Sequence, residues 1–406
     1  MSPEAPFDPT APLPGPPDPW AEGDTPTLRD GPPWHMTEMI AAEPAVAKRV
    51  LNRLADSAGA AARVAEAVRT AAAAGRPVIV VGCGTSEHGA LGVAGMLREA
   101  AGAAGLPSQP GEAGAAIPIQ AFEASLAPVK GGLVIGVSHE GGTWATMRAL
   151  EAARGAGSRT ALITASDRSP AAALADEGLV IATGELDQSW CHTIGYLSPL
   201  LAGASIGAHL SGTAVDISAA VGLLRTTSAM TAAAEGIAAA LAGVRQLLVI
   251  GSGADRTAAR ELTLKVEEAS WLPSAMRDLE TFLHGHLPAT DEFTGLVLVL
   301  AERRGQAARV KRAREALAAA RELRHRTAAI LSAEAAAAIE EDLTPAGRIV
   351  VADAPGLPPT VAALLGTLVP LQLITERIAR ARGTNPDPIR RDDPRYLAAA
   401  EASSPG

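Results

Sequence analysis

The 406-residue sequence predicts an α/β protein built as two tandem flavodoxin-like sandwiches with parallel sheets, related by an internal repeat. Three observations carry that prediction. Short aliphatic runs alternate with segments of helix length, as strand–helix–strand units require. The run VIVVGCG (78–84) returns as LLVIGSG (247–253), 169 residues later, and LVIGVSHEGG (133–142) is answered by LVLVLAERRG (296–305). Finally, 48% of residues are apolar but only 3% are aromatic, so an ample core must be built from Ala, Val and Leu.

In chain order, residues 1–35 are rich in Pro, Asp and Gly with few periodic apolar positions, and read as a disordered arm. Met36, Ile40, Val46, Val50 and Leu54 then recur at helical spacing. VIVVG (78–82) reads as a strand buried on both faces, followed by a helix to about Ala101. IQAF (119–122), LVIGV (133–137), TALIT (160–164) and GLVIA (178–182) continue the sheet, and an apolar helix from Thr193 to Leu210 closes a first domain, 36–211. Helical residues 212–242 open a second domain, 212–382, with strands at 247–251, 296–300, 325–330 and 348–353 and an apolar helix from Pro359 to Ala379. The tail 383–406 is turn-rich and reads as coil with at most a short helix.

Charge and cysteine usage exclude several classes. A net charge of −9 argues against nucleic acid as the main partner. Two cysteines, Cys83 and Cys191, support neither a disulfide framework nor a zinc site, so no metal or other cofactor is expected. The start has no basic residue ahead of an apolar run, and the apolar stretches are broken by Gly or charge. Neither a secretory leader nor a membrane span is expected, and the chain reads as cytoplasmic.

In open parallel sheets ligands sit beyond the carboxyl ends of strands, so the loops there matter most. The first is Gly82-Cys83-Gly84-Thr85-Ser86. A dinucleotide fingerprint needs glycine three residues after Gly84, and Glu87 stands there instead. Thr85 and Ser86 suit a helix start, either as plain caps or as ligands for an anion held by free N–H groups. A second loop, Ser138-His139-Glu140-Gly141-Gly142-Thr143, again sets hydroxyls around glycines ahead of a helix. Its counterpart in the second copy, Ala301-Glu302-Arg303-Arg304-Gly305, has lost both hydroxyls, which suggests one anion cradle per chain. Farther on, Lys265 and Glu268 share a helix face, as either a surface ion pair or a functional carboxylate. His284 and His286 occupy a Gly/Pro-bounded loop, as decoration or as an acid–base group.

Together these motifs resemble the double sugar-isomerase-domain (SIS) proteins, whose best-known member is the isomerase portion of glucosamine-6-phosphate synthase. The resemblance spans about residues 36–397 and rests on HMTEMIAAEPAV, VGCGTS, SHEGGT, LKVEEASWLPSA, ETFLHGHL and DPRYLA. It implies that Cys83, Gly84, Thr85 and Ser86, with Ser138, His139, Glu140, Gly141 and Thr143, hold a sugar or sugar phosphate. It implies that Glu268, seconded by Lys265, moves a proton between C1 and C2. It further implies that His284 opens the sugar ring from a neighbouring subunit, hence a homodimer with shared sites. Glu185 stands where related proteins bring a Lys-containing segment to the sugar, and Trp144 and Trp190 either line that pocket or pack against helices.

Three departures qualify the likeness. His139 and Glu140 replace a Gln-Ser pair, and a carboxylate beside a phosphate costs about 1 kcal/mol even when strongly screened. Ala399 stands where the resemblance expects a ring-opening lysine, and no lysine follows Lys311. No glutaminase segment is matched, so glutamine-dependent amination is not expected. The reading is therefore a sugar-phosphate isomerase, deaminase or deglycase. Two alternatives stay open: a sugar-sensing protein without turnover, or an enzyme for an unphosphorylated substrate.

Overall fold

The computed structural model describes residues 6–13 and 28–403. The first lobe contains α1 (His35–Leu54), α2 (Ala60–Ala73), β1 (Val78–Gly82), α3 (Thr85–Ala103), β2 (Ala116–Gln120) and α4 (Ala121–Leu126). It continues through β3 (Leu133–Val137), α5 (Trp144–Gly155), β4 (Arg159–Thr164), β5 (Val180–Ala182) and α6 (Ile194–Ser211). The second lobe contains α7 (Ile217–Ser228), α8 (Thr231–Leu241), β6 (Gln246–Gly251), α9 (Asp255–Ser270), β7 (Ser274–Asp278) and α10 (Leu279–Phe282). Then come β8 (Thr294–Leu300), α11 (Gln306–Glu322), β9 (Arg326–Ser332), α12 (Ala333–Ala338), β10 (Arg348–Val351), α13 (Pro359–Arg382) and α14 (Pro394–Ser403).

The internal repeat is exact in topology. One sheet runs β2-β1-β3-β4-β5 and the other, from its own outer edge, β7-β6-β8-β9-β10. Every pairing is parallel. β1 and β3 are buried at every position, as is β8, because helices cover both faces. One core cluster joins the lobes through α3, α6, α9 and α13, which bury Leu97, Leu200, Leu262 and Leu368. By length and composition α13 is apolar enough to cross a membrane, but 89% of its apolar window is buried inside the protein. It is the core helix of the second lobe.

Several expectations are corrected. The strand expected at 119–122 lies at Ala116–Gln120, and Ala121–Phe122 already begin α4, capped by the Gln120 side chain accepting from Glu123 N. β7 was not expected: SAMRD is half-buried throughout, and such an edge strand carries no continuous apolar run. Residues 6–13 and 28–34 of the expected disordered arm lie against the first lobe, with Leu13 and Trp34 buried. Arg49 holds the Thr10 carbonyl at 2.9 Å, while the Leu13 amide donates to Glu185 at 3.2 Å. The rest of that arm lies outside the described residues. In the tail, α14 is the short helix, and all its side chains are at least partly exposed.

A distal residue secures the start of α1. Asp387, fully buried, accepts from the His35 and Met36 amides at 2.8 and 2.9 Å, filling donors that a helix start otherwise leaves open. Asp387→Ala should therefore cost about 2 kcal/mol in urea unfolding, since both bonds run to a charged acceptor. A change below about 0.5 kcal/mol contradicts this role.

Farther along α1, Glu43 is wholly buried, and among the described residues neither oxygen meets a donor at hydrogen-bonding geometry. Burial pushes its pKa well above 4.5, against a smaller lowering from nearby Gln372. The folded state thus holds a proton that the unfolded chain releases. The associated stability is complete below pH 4.5 and falls as pH rises toward the folded value. Glu43→Gln should flatten that slope and leave the variant the more stable form at neutral pH. Parallel slopes in unfolding series at pH 5 and pH 8 would show that Glu43 is charged in place.

Candidate active site

The β1 loop brings Thr85 and Ser86 to the first turn of α3, nearly buried. Neither hydroxyl is engaged by a side-chain hydrogen bond among the described residues, while the Ser86, Glu87 and His88 amides already donate to the Cys83 and Gly84 carbonyls. Cys83 accepts from Gln120 at 3.5 Å, and burial pushes its thiol pKa up, so it is a weak nucleophile. The β3 loop is self-braced: Ser138 Oγ lies 3.1 Å from Thr143 Oγ1 and accepts from the Gly141 amide at 3.1 Å. Gly141 has φ +76°, and a Cβ there would overlap the Ser169 hydroxyl, so this turn requires glycine.

Within that loop His139 and Glu140 do different work. His139 is buried, and its Nε2 accepts from the Asp187 amide at 3.0 Å. Burial, reinforced by neighbouring His192, brings its pKa down to about 4, so the ring is neutral at physiological pH. Glu140 turns toward His192, with Oε1 3.7 Å from Nε2. Burial alone would raise the Glu140 pKa, but His192, His139 and Arg391 outweigh it and hold the carboxyl low. Burial conversely disfavours charge on His192, while Glu140 and Asp187 outweigh that effect and raise its pKa. The carboxylate that fits a phosphate cradle least well is thus partly neutralised within the loop.

Sequence reasoning missed Asp187. Its carboxylate accepts from the amides of Ser189 (3.1 Å), Thr193 (2.6 Å) and Gly195 (3.1 Å), pinning the segment before α6 onto the β3 loop. The only signal was an Asp six residues before a helix, outside ordinary cap spacing. Glu185, expected at the sugar, is 1% exposed and spent elsewhere: it pairs with Arg49 at 2.6 Å and accepts from the Leu13 amide. Trp190 lies under Arg391 at 4.8 Å, and Trp144, itself exposed, stacks on Phe122 at 6.2 Å.

On α9, Lys265 is fully buried and its ammonium lies 2.5 Å from Glu268 and 3.8 Å from Glu261. These carboxylates outweigh the burial that disfavours its charge, so its pKa is raised and it is a fixed cation. Glu261 in turn meets His88 of α3 at 2.6 Å. The Glu268 side chain keeps 22% of its surface exposed, which leaves part of the carboxylate free for a substrate. Cys191 Sγ approaches the Lys265 carbonyl at 4.0 Å, and Leu264 stands 3.9 Å from where a Gly84 Cβ would be. The structure thus brings α9, the β1 loop and the segment bearing His192 to one place.

His284 and Ala399 stand apart from this cluster. His284 is exposed and meets Glu280 at 2.6 Å, which also binds Arg312. Ala399 lies exposed on α14. No group of three or more metal-ligating side chains occurs among the described residues.

No protein-family model matches the chain, and no curated protein matches it in sequence. Solved structures do. The C-terminal domain of glucosamine-fructose-6-phosphate aminotransferase from Francisella tularensis superposes with a TM-score of 0.71 at 17% identity, covering 89% of this chain and 99% of that one. Tagatose-6-phosphate ketose/aldose isomerase from Escherichia coli gives 0.68 at 18% identity, over 87% and 95%. Glucosamine-6-phosphate deaminase from Thermotoga maritima gives 0.60 at 16%, over 87% and 96%. The chain therefore has the double sugar-isomerase-domain fold that its motifs resemble.

The Glu140–His192 pairing is directly measurable. Glu140→Ser removes the carboxylate that favours the imidazolium, so the His192 pKa should fall in an NMR titration of the ring protons. An unchanged value would place Glu140 away from His192.

Proposed function

We propose that the protein is a sugar-phosphate isomerase-type enzyme whose substrate lies between the two hydroxyl-bearing loops and Glu268. The observation that carries this reading is the carboxylate itself: Glu268 is fixed at one oxygen by a buried ammonium and still partly open to solvent. A base for C1–C2 proton transfer needs that combination, charged and oriented yet reachable. Glu268 takes the proton from C2 of the open-chain aldose, the electron pair moves onto O1 as an enediolate, a proton passes from O2 to O1, and Glu268 returns its proton at C1 to give the ketose. No net oxidation occurs. Lys265 positions the carboxylate without touching substrate. Ser86, Ser138 and Thr143 hold the phosphate through their hydroxyls.

The structural relatives, an aminotransferase domain, an isomerase and a deaminase named for sugar phosphates, support the class of substrate, and amino-sugar phosphates fall within it. His284 enters this reading as the ring-opening acid supplied by a second copy in a homodimer. A second reading, sugar sensing without turnover, is favoured by Ala399, which leaves the tail without an amine.

Two experiments test these readings. Incubation with fructose-6-phosphate, tagatose-6-phosphate and glucosamine-6-phosphate in D2O should place deuterium at C1 or C2. Glu268→Gln should slow that exchange by about 10²–10⁴-fold while ligand binding survives. Binding without exchange in the wild type would decide for the sensing reading. For the dimer, mixing Glu268→Gln with His284→Ala should restore roughly a quarter of the sites by random pairing of subunits. No restoration after subunit exchange is verified would confine His284 to its own chain.

A further inference from the structure

A cavity of about 580 Å³ opens between the lobes, where the loops after β6 and β8 face α3 and the start of α13. Five guanidinium groups line it: Arg98 of α3, Arg256 and Arg260 of α9, Arg304 of the β8 loop and Arg309 of α11. Against them stand two lining carboxylates, Glu99 and Glu302, leaving three positive charges in a chain of net charge −9.

Both carboxylates are already committed. Glu302, 1% exposed, accepts from the Arg304 amide at 3.0 Å and guanidinium at 3.3 Å, and Glu99 accepts from the Thr360 amide at 2.9 Å. Asp278 and Glu87, outside the lining, pair with Arg256 at 2.6 Å and Arg260 at 3.5 Å. Arg98 and Arg309 have no ion-pair partner among the described residues. Arg98, half-buried, donates to the Ala116 carbonyl at 2.8 Å, and burial together with nearby Arg304 disfavours its charge. An anion brought into the cavity relieves that cost. Arg309 donates to Ser252 at 3.2 Å and lies across Gly253. There φ is +63° and a Cβ would come within 2.5 Å of the guanidinium, so glycine is what admits the side chain.

The placement follows from the repeat. β6 and β8 correspond to β1 and β3, so this cavity uses, in the second lobe, the strand ends that carry the hydroxyl loops in the first. Guanidinium groups stand there in place of the hydroxyls. The two sites are also separate: Arg260 and Glu268 lie eight residues apart on α9, about 12 Å along its axis.

We propose that this cavity is a second ligand site, for a small molecule carrying a pyrophosphate group. Arg98 and Arg309, the two lining guanidinium groups without a carboxylate partner, come from different lobes and suit charge-assisted contacts to successive phosphates. The volume falls in the range of sites for sugar- or nucleotide-sized ligands.

The test is calorimetric titration of the full chain with inorganic pyrophosphate at constant ionic strength. One saturable site is expected, weakened more than about tenfold in Arg98→Met/Arg309→Met and changed by less than about twofold in Ser86→Ala/Ser138→Ala. Absence of saturable binding at low-millimolar pyrophosphate overturns the proposal, as does loss of binding in the serine pair rather than the arginine pair. Should the arginine pair fail to fold, Arg309→Met alone should weaken binding by about fivefold or more, with Lys311→Met on the same helix as the unaffected control. Equal affinities for those two single variants overturn it as well.

Discussion

The buried ammonium of Lys265 is the constraint on which the candidate site depends. Removing a charge from water costs several kcal/mol even after relaxation, so a lysine at 0% exposure requires anionic partners at fixed distance. Its two partners have different duties. Glu261 is itself buried and reaches across to His88, which ties α9 to α3 and so one lobe to the other. Glu268 sits at the margin of the core, its carboxylate held by the ammonium while its side chain stays partly exposed. The position of the proposed base is therefore a property of the interior, and a flexible surface pair could not provide it.

Asp187 performs the same task for the loops. Three amides converge on its carboxylate while its own amide faces His139. The segment before α6 and the β3 loop consequently move as one unit. With His139 neutral and His192 facing Glu140, the local charge of the loop is balanced by groups within it. Glu140 need not repel a phosphate at full strength, which removes the main chemical objection to a phosphorylated substrate.

Much of this was legible in the sequence, and what was not has physical causes. Strands buried on both faces, such as β1 and β8, announce themselves as aliphatic runs, and the repeat of VIVVGCG in LLVIGSG announces the duplication. Lys265 and Glu268 were visible as a helical pair, but only burial shows that the pair is no surface bridge. β7 is half-buried and polar, so alternation never emerges above the noise. Asp387 and Glu185 act across 351 and 172 residues, on the Met36 and Leu13 amides, and no local pattern encodes such partners. Position alone suggested Glu185 for the sugar. Its true partner, Arg49, lies on a helix whose register against the first lobe only the fold supplies.

Duplication gave both lobes the same five-stranded order, and their strand ends then diverged. The first lobe carries short hydroxyl side chains there, and α9 of the second lobe comes up against its β1 loop at Gly84. The second lobe filled the equivalent loops with long guanidinium side chains, which reach across a cavity instead of lining a close cradle. Gly253 marks that change: it survives from the glycine pair of the repeat, but its free backbone now makes room for Arg309 rather than for a ligand's own phosphate. A hydroxyl cradle discriminates by fit, since neutral donors gain little from charge alone, whereas an arginine cavity binds by charge and tolerates variation in the rest of the molecule. The strand ends of the two lobes thus differ in chemistry, short neutral donors in one and long cationic side chains in the other, toward opposite ends of the same helix.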